Sequence, residues 1–285
     1  MGRFKVGVIV DSFRLPIKDG VKKAAEVGAD GIQVFVVKGE MSPENMNPRA
    51  RRDFVSLVRD NGLEISALCG DLGGHGFEIP EDNVWKIEKS KRMVELAVDL
   101  GCNIITTHLG VVPADNNEPR YAIMQEACLT LGDFAAKAGV SFALETGAEP
   151  ASVLRSFLDE VNSKGMAVNF DPANLVMVIG EDPAETVLEL GPYIVHTHAK
   201  DGKMLKKVKP ETLYGVLAEG DVTDIERLGE FILETPLGQG SVDFPRYLDN
   251  LQKTGFSGYL TIEREAGDKP EVDIKMAVDF LRKLI

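Results

Sequence analysis

The chain has few cysteines, no long apolar run and fewer basic than acidic residues. Its three cysteines, Cys69, Cys102 and Cys128, form no Cys-x-x-Cys pair, which is typical of a reduced cytosolic protein rather than of a disulfide scaffold. No apolar stretch approaches the length of about 18 residues that a membrane span needs. The N-terminus has no signal-peptide layout. We therefore predict a soluble, cytoplasmic protein.

The acidic charge balance argues against a nucleic-acid partner. Lysine and arginine total 32 against 45 aspartate and glutamate residues, for a formal net charge of −13. Proteins that bind DNA or RNA normally present a basic face to the phosphates. The same balance weighs, less strongly, against a highly phosphorylated ligand. We expect a small-molecule partner, with neither nucleic acid nor membrane bound.

Short apolar runs alternate with helical patterns along the whole chain. Each run is bounded by glycine, asparagine or charge, as is typical of strands buried on both faces of a parallel sheet. Several helical patterns end in a glycine that marks a C-cap, such as Gly101 and Gly139. The predicted strands are Phe4–Val10, Gly31–Val36, Leu63–Leu68, Asn103–His108, Val140–Glu145, Met166–Asp171, Tyr193–Ala199 and Gly258–Glu263.

Eight such strands predict an α/β fold, a (β/α)8 TIM barrel that forms a single domain over residues 1–285. An open, doubly wound sheet is the alternative, but the first turn, Val10–Phe13, has no Gly-x-Gly-x-x-Gly pattern. Between His198 and Phe244 lie about 45 residues of mixed charge, which is long for a bare connection. We predict that this segment is a loop insertion after strand seven, over the active-site face.

Acidic residues and a histidine end the last four predicted strands. They are Glu145, Asp171, His198 and Glu263. Neighbouring strands lie about 4.8 Å apart, so four converging side chains can surround one ion. Each carboxylate has an alternative as a helix cap or a lysine partner, but a charge ending an apolar strand is costly unless it is paired or metal-bound. Three carboxylates with one imidazole predict one divalent ion, Mn²⁺ first, with Mg²⁺, Co²⁺ or Zn²⁺ as alternatives.

Further polar residues near these strand ends are candidates for binding substrate. His108 ends strand four, where a buried, satisfied histidine or a helix cap is the alternative. Lys200 follows His198 and can bind a substrate oxygen, unless it forms a salt bridge under the insertion. His75 lies in the Gly73–Gly76 loop, which must fold over the pocket for this residue to act. His196 shares the strand parity of His198 but lies one layer deeper, which favours a packing or supporting role.

The motifs around these residues resemble those of the xylose isomerase-like barrel superfamily. That superfamily contains sugar isomerases and epimerases, and also apurinic endonucleases of the endonuclease IV type. The resemblance covers nearly the whole chain, and the motif order agrees. The matching motifs are TTHLG (Thr106–Gly110), ALET (Ala143–Thr146), NFDPAN (Asn169–Asn174), HTHAKD (His196–Asp201), PLGQGSVDF (Pro236–Phe244) and GYLTIERE (Gly258–Glu265).

The resemblance implies that Glu145, Asp171, His198 and Glu263 are the metal ligands. It further implies that Glu145 and Glu263 move a proton on either face of a substrate carbon next to a carbonyl, through an enediolate that the metal stabilises. The implied enzyme is an isomerase or epimerase of a sugar, sugar phosphate or polyol. Homo-oligomers are common in the superfamily, but no stretch of this sequence identifies an interface.

The sequence also departs from its relatives. Asn174 stands where related epimerases carry a histidine that holds a substrate hydroxyl, so Asn174 is expected to bind substrate differently. The additional zinc-binding histidines of the endonucleases are missing, and Ile232–Glu234 replaces one of their motifs, which disfavours DNA repair. Two alternatives stay open: a lyase acting on a keto-sugar, like inosose dehydratase, and a barrel that only binds sugar.

Overall fold

The computed structural model describes residues 4–220 and 228–285. Eight of the strands in these residues are parallel and close into a barrel, which confirms the predicted fold. Each barrel strand lies within about a residue of its predicted bounds. The barrel strands are β1 (Lys5–Ile9), β2 (Gly31–Phe35), β3 (Glu64–Cys69), β4 (Ile104–Thr107), β5 (Ser141–Glu145), β6 (Met166–Phe170), β7 (Ile194–Ala199) and, last in the chain, β10 (Tyr259–Ile262).

The strands follow one another around the barrel in the order β1, β2, β3, β4, β5, β6, β7 and β10, and β10 pairs with β1 to close it. Helices connect them on the outside. Gly101 and Gly139 end α3 and α4 in the left-handed conformation, as their C-cap signals predict. The helices are α1 (Ile17–Val27), α2 (Pro48–Asp60), α3 (Pro80–Leu100), α4 (Pro119–Ala138), α5 (Ala151–Val161), α6 (Pro172–Asn174), α7 (Pro183–Leu190), α8 (Pro210–Glu219), α9 (Phe244–Lys253) and α10 (Pro270–Leu284).

The hydrophobic core lies both inside the barrel and between the barrel and its helices. Every residue of β6 is buried, as expected of a strand covered on both faces. Leu96 of α3, Leu131 of α4 and Phe157 of α5 pack against the outside of the sheet and are almost fully buried. Burying one such side chain stabilises the fold by about 1.5–3 kcal/mol, and this packing makes the strand ends a rigid support.

The segment after β7 forms additional structure. Strands β8 (Asp201–Met204) and β9 (Ile232–Thr235) pair antiparallel, and α8 lies between them in the chain. A small second apolar cluster holds α8 against the residues that follow β6; its buried members are Ala173, Met177, Val178, Leu213 and Leu228. Residues 221–227 of the predicted insertion lie outside the described residues, so the insertion as a whole stays a prediction, as does the single domain.

A buried carboxylate fixes the base of this segment. Asp201 accepts hydrogen bonds from the backbone N–H groups of Gly202, Gly238, Gly240 and Val242 at 2.8–3.1 Å. A Cβ at Gly240 would lie 2.0 Å from Asp201 Oδ1, so only glycine fits this turn. In the part of the chain that the structure describes, we find no helix with the length and apolar character of a membrane span.

Candidate metal centre

The four residues at the ends of β5, β6, β7 and β10 meet in one cluster. Nδ1 of His198 lies 3.5 Å from Glu145 Oε1, 3.5 Å from Asp171 Oδ2 and 3.3 Å from Glu263 Oε2. One candidate ligand atom from each residue lies within 4.8 Å of the other three. All four side chains are at least nine-tenths buried. The predicted convergence on one point therefore exists in the folded chain.

Asp171 divides its two oxygens between support and the cluster. Oδ1 accepts from the N–H groups of Ala173 and Asn174 at 2.7 and 3.0 Å, and so caps the short helix α6. Oδ2 is buried and has no hydrogen-bond partner among the described residues. The helix-cap alternative is thus correct for one oxygen, while the other is directed at Nδ1 of His198. Thr146 also fixes this residue, because its hydroxyl bonds both the N–H and the carbonyl of Asp171.

The unpartnered oxygen is the test of whether the cluster suits a metal ion. A buried polar atom without a partner costs free energy, and a buried carboxylate costs more. A cation placed among the four ligand atoms would satisfy Asp171 Oδ2 and offset the three neighbouring negative charges. Three oxygens and one imidazole nitrogen are a donor set for a divalent ion. Glu145, Asp171, His198 and Glu263 therefore fit a metal and could hold one.

Burial and neighbouring charges shift the pKa values of this cluster in opposite directions. Burial favours a neutral imidazole at His198, but the carboxylates of Glu263 and Glu145 outweigh it and raise the pKa of His198 well above its usual value. Burial likewise favours neutral carboxyls. The charges of His108 and His198 nevertheless lower the pKa of Glu145, and those of Lys200 and His198 lower the pKa of Glu263 well below its usual value. Both glutamates are accordingly ionised at neutral pH.

His108 lies beside the cluster and links it to the loop after β3. Its Nδ1 is 3.1 Å from Asp71 Oδ2, and its Nε2 is 3.7 Å from Glu145 Oε1. Burial lowers the pKa of His108, but Glu145 and Asp71 outweigh burial and raise it to about 10. His108 is therefore an imidazolium held between the carboxylates of Asp71 and Glu145.

The other predicted substrate-binding residues occupy different places. Asn174 donates from Nδ2 to Glu145 Oε1 at 3.0 Å, so it directly contacts the cluster. Lys200 is buried, with Nζ 2.9 Å from Glu263 Oε2 and in contact with the Glu265 carboxylate. His75 does not reach the cluster: its Nε2 lies 2.6 Å from Oε1 of Glu219 in α8. The loop that carries His75 thus folds towards the pocket and meets the segment after β7.

A cavity of about 450 Å³ opens on this side of the barrel. Its wall is formed by the loops after β3 and β4 and by α8. The ring centroid of Tyr214, in α8, lies 6.0 Å from that of His108. The four cluster residues do not line it; His108, which contacts Glu145, and Glu265, which contacts Lys200, connect it to them. The lining residues are Asp71, Gly73, Gly74, His75, Gly76, Glu78, His108, Gly110, Val111, Arg120, Glu211, Tyr214, Gly215, Leu217 and Glu265.

Several supporting residues were not predicted from the sequence. Gln33 lies in the middle of β2, and its Oε1 is 3.2 Å from Nε2 of His198. Asn169 on β6 lies 3.2 Å from Glu145 Oε2. The only available signal was a polar residue inside an apolar strand, as in Gly31–Phe35 and Met166–Phe170. His196 is buried one layer below His198, as its parity predicts.

The family model for xylose isomerase-like TIM barrels matches residues 21–284. The chain belongs to the xylose isomerase-like TIM barrel family. Among curated relatives, it is 22% identical to the L-ribulose-5-phosphate 3-epimerase UlaE of Salmonella heidelberg over 91% of this chain and 86% of that protein. It is 38% identical to the rhizopine catabolism protein MocC of Rhizobium meliloti, but over only 30% of this chain and 24% of that protein.

Two solved structures share the fold. A xylose isomerase domain protein from Planctomyces limnophilus superposes with a TM-score of 0.79 at 24% identity, over 99% of this chain and 96% of that one. The probable 3-DHS dehydratase AsbF of Bacillus anthracis superposes with a TM-score of 0.72 at 21% identity, over 98% and 99%. Proteins that resemble this chain thus include one named as an epimerase and one named as a probable dehydratase.

Proposed function

We propose that this chain is a divalent-metal-dependent enzyme that epimerises or isomerises a sugar or polyol by moving a proton next to a carbonyl group. One observation carries the proposal: Glu145 and Glu263 both direct an oxygen at His198 Nδ1, at 3.5 and 3.3 Å. Glu145 ends β5 and Glu263 directly follows β10, and β6 and β7 lie between these two strands in the barrel. Two carboxylates that approach one point from different strands suit proton transfer at two faces of one carbon.

The two glutamates have different surroundings, which fits different roles. Lys200 accompanies Glu263 at 2.9 Å, and this stabilises its ionised form as a general base. Glu145 is bound by the amides of Asn174 and Asn169 and faces Nε2 of His108 at 3.7 Å. His108 is therefore placed to supply the proton that Glu145 returns. Return to the opposite face of the same carbon gives an epimer, and return to the neighbouring carbon gives an isomer.

Mn²⁺ is the ion that we propose for the site, held by Glu145, Asp171, His198 and Glu263. When bound, a divalent ion supplies positive charge that stabilises negative charge developing on a substrate oxygen. The chain's own residues orient the substrate around it: Asn174 and His108 on the Glu145 side, and Lys200 on the Glu263 side.

The charge of the cavity favours an unphosphorylated substrate. Its wall includes the carboxylates of Asp71, Glu78, Glu211 and Glu265. Arg120 and His108, which carry positive charge in this wall, are already paired: Arg120 with Glu78, Glu211 and Glu118, and His108 with Asp71. A phosphate dianion entering this wall would meet like charges at short range, whereas a neutral sugar would meet hydrogen-bond acceptors. We propose a ketose without phosphate, unlike the substrate in the name of UlaE.

This proposal can be tested by incubating the Mn²⁺-loaded protein in D₂O with a panel of free ketoses and their phosphate esters. We expect deuterium at the carbon next to the carbonyl, a second sugar of equal mass apart from the label, and faster turnover of free ketoses. Glu145→Gln and Glu263→Gln should each abolish interconversion, whereas Glu126→Gln, an exposed acid outside the site, should not. A parent protein that binds metal and ketoses but exchanges no proton would make it a sugar-binding barrel.

A lyase is the second candidate, and the position of Lys200 favours it. Expulsion of a β-hydroxyl needs a proton donor beside the base, and the Lys200 ammonium is 2.9 Å from Glu263 Oε2. The likeness in fold to the probable dehydratase AsbF is compatible with this chemistry. Loss of water to give an enone or diketone in the same incubation would identify it. We further propose a cytoplasmic protein whose partner is a small molecule.

A further inference from the structure

A layer of polar side chains lies inside the barrel below the metal-binding cluster. Its members are at most 1% exposed, and none of them is one of the four candidate ligands. A polar layer is unusual in a barrel interior, which is normally filled by branched apolar side chains. The layer consists of Gln33, Thr106, Asn169, His196 and Thr261.

Four groups of this region form one continuous chain of hydrogen bonds. Thr261 Oγ1 lies 3.0 Å from Nε2 of His196, and Nδ1 of His196 lies 2.9 Å from Oδ1 of Asn169. The chain ends at Glu145, whose Oε2 lies 3.2 Å from Nδ2 of Asn169. It thus runs from β10 through β7 and β6 to β5.

The direction of every bond in this chain follows from the carboxylate at its end. An ionised carboxylate only accepts, so the Asn169 amide must donate to Glu145 through Nδ2. Its carbonyl oxygen then faces His196, and Nδ1 of His196 must carry the proton that it donates. Nε2 of His196 is left as an acceptor, and the hydroxyl of Thr261 donates to it. One protonation pattern therefore satisfies all four groups.

We propose that Thr261, His196 and Asn169 form a positioning relay that holds Glu145 in the orientation which the proposed function requires. The amides of Asn169 and Asn174 bind the two oxygens of Glu145, one each, so the carboxylate cannot rotate without losing a partner. The amide of Asn169 is in turn held by the next strand: its Oδ1 accepts from His196, and its Nδ2 also lies 3.2 Å from Nε2 of His198. Groups that orient a ligand in this way raise metal affinity or activity by about ten- to hundredfold.

The relay is tested first on the parent protein without metal or substrate. The chain has only four histidines, so the ring nitrogens can be assigned in a long-range ¹H–¹⁵N spectrum of metal-free protein. The relay requires a proton on Nδ1 and none on Nε2 of His196. The opposite tautomer would overturn it. Because this measurement needs no turnover, it stands apart from any failure to find an active ketose.

Two variants at His196 separate positioning from packing. His196→Leu removes the donor, whereas His196→Asn places an amide N–H where Nδ1 was and keeps the bond to Asn169. We expect His196→Leu to weaken Mn²⁺ binding, measured by calorimetry without substrate, by about ten- to hundredfold, and His196→Asn to recover most of the loss. Ser66→Ala, which removes a buried hydrogen bond from β3 to the Ile32 carbonyl of β2 and no contact of Glu145, should leave Mn²⁺ affinity unchanged.

Each result decides for or against the relay. Equal Mn²⁺ affinity in folded His196→Leu and parent protein would refute it, as would a His196→Asn variant that binds no better than His196→Leu. If His196→Leu does not fold, the comparison of His196→Asn with the parent protein remains: similar affinity supports the relay, and a loss of tenfold or more contradicts it. The histidine spectrum of the parent decides independently of both.

Discussion

Lys200 places its ammonium nitrogen 2.9 Å from Oε2 of Glu263, at the edge of a cluster that already contains three carboxylates. Both side chains are more than nine-tenths buried. Burial lowers the pKa of Lys200, but the charges of Glu263 and Glu265 outweigh burial and raise it well above its usual value. Lys200 therefore acts as a fixed positive charge that balances part of the site's negative charge. The alternative of a salt bridge beneath the segment after β7 is thus observed, and a substrate contact remains a proposal.

A double-mutant cycle on this pair should show strong coupling. In metal-free protein, Lys200→Met leaves Glu263 charged and buried, so we expect the free energy of unfolding to fall by about 3–5 kcal/mol. Glu263→Gln in the same background should restore part of that loss, because the uncompensated charge is gone. Lys203→Met, at an exposed lysine of β8, is the matched control and should change stability little. Additive effects of the two substitutions, measured by denaturant unfolding, would show that the pair is not coupled.

Metal binding should raise the thermal stability of the protein. A ligand at about 100-fold its Kd stabilises the folded state by about 2.7 kcal/mol, which corresponds to a rise in Tm of about 5 °C in a chain of this size. We expect this rise with Mn²⁺ and its reversal with a chelator. In Asp171→Asn, the oxygen without a partner becomes part of a neutral amide, so the rise should largely disappear. Glu126→Gln should keep it, and a Tm of the parent protein that Mn²⁺ leaves unchanged would count against the site.

The features predicted correctly from the sequence are those that depend on local pattern. Glu145, Asp171, His198 and Glu263 each lie at or next to the end of a short buried strand, and the barrel geometry brings such strand ends together. The strand bounds follow from the same runs. Helix α8 was missed because its sequence, between charged residues and a predicted loop, gives only a weak apolar periodicity.

The supporting contacts could not be predicted because they join residues far apart in the chain. Asp201 binds the backbone of Gly238 and Gly240 across 37 and 39 residues. Gln33 reaches His198 across 165 residues. In a single sequence, each of these residues is only a polar side chain in or beside a strand, and its partner appears once the barrel has closed. Whether Oδ2 of Asp171 has a partner likewise depends on the folded surroundings.

Glu149 should make stability depend on pH. Burial raises its pKa to about 8 from an ordinary value of 4.5, although the Val112 N–H and the His108 charge act against burial. Since the folded state binds this proton more tightly than the unfolded state does, Glu149 lowers stability as pH rises from about 4.5 to about 8. Glu149→Gln keeps an acceptor for Val112 but cannot ionise.

We expect Glu149→Gln to match the parent protein at pH 5 and to exceed its free energy of unfolding by about 1–3 kcal/mol at pH 9, because each unit of pKa shift is worth about 1.4 kcal/mol and local relaxation reduces the total. Denaturant unfolding at the two pH values measures this. Glu160→Gln, at an exposed helix position, should give parallel curves. A Glu149→Gln variant with the same pH dependence as the parent would show that Glu149 is ionised in the folded protein.

Substitutions at the two histidines of the cavity wall, His75 and His108, should affect substrate binding and metal binding differently. Nε2 of His75 contacts Glu219 of α8 and does not reach the cluster, whereas Nε2 of His108 lies 3.7 Å from Glu145 Oε1. His75→Ala should therefore loosen the contact between the loop after β3 and α8, raising KM several-fold with Mn²⁺ affinity unchanged. His108→Ala removes a positive charge next to Glu145 and should change both Mn²⁺ affinity and kcat. Mn²⁺ affinity is measured by calorimetry on both variants, and KM and kcat by steady-state kinetics. Weaker Mn²⁺ binding in His75→Ala would show that the cavity wall and the metal-binding cluster are not independent.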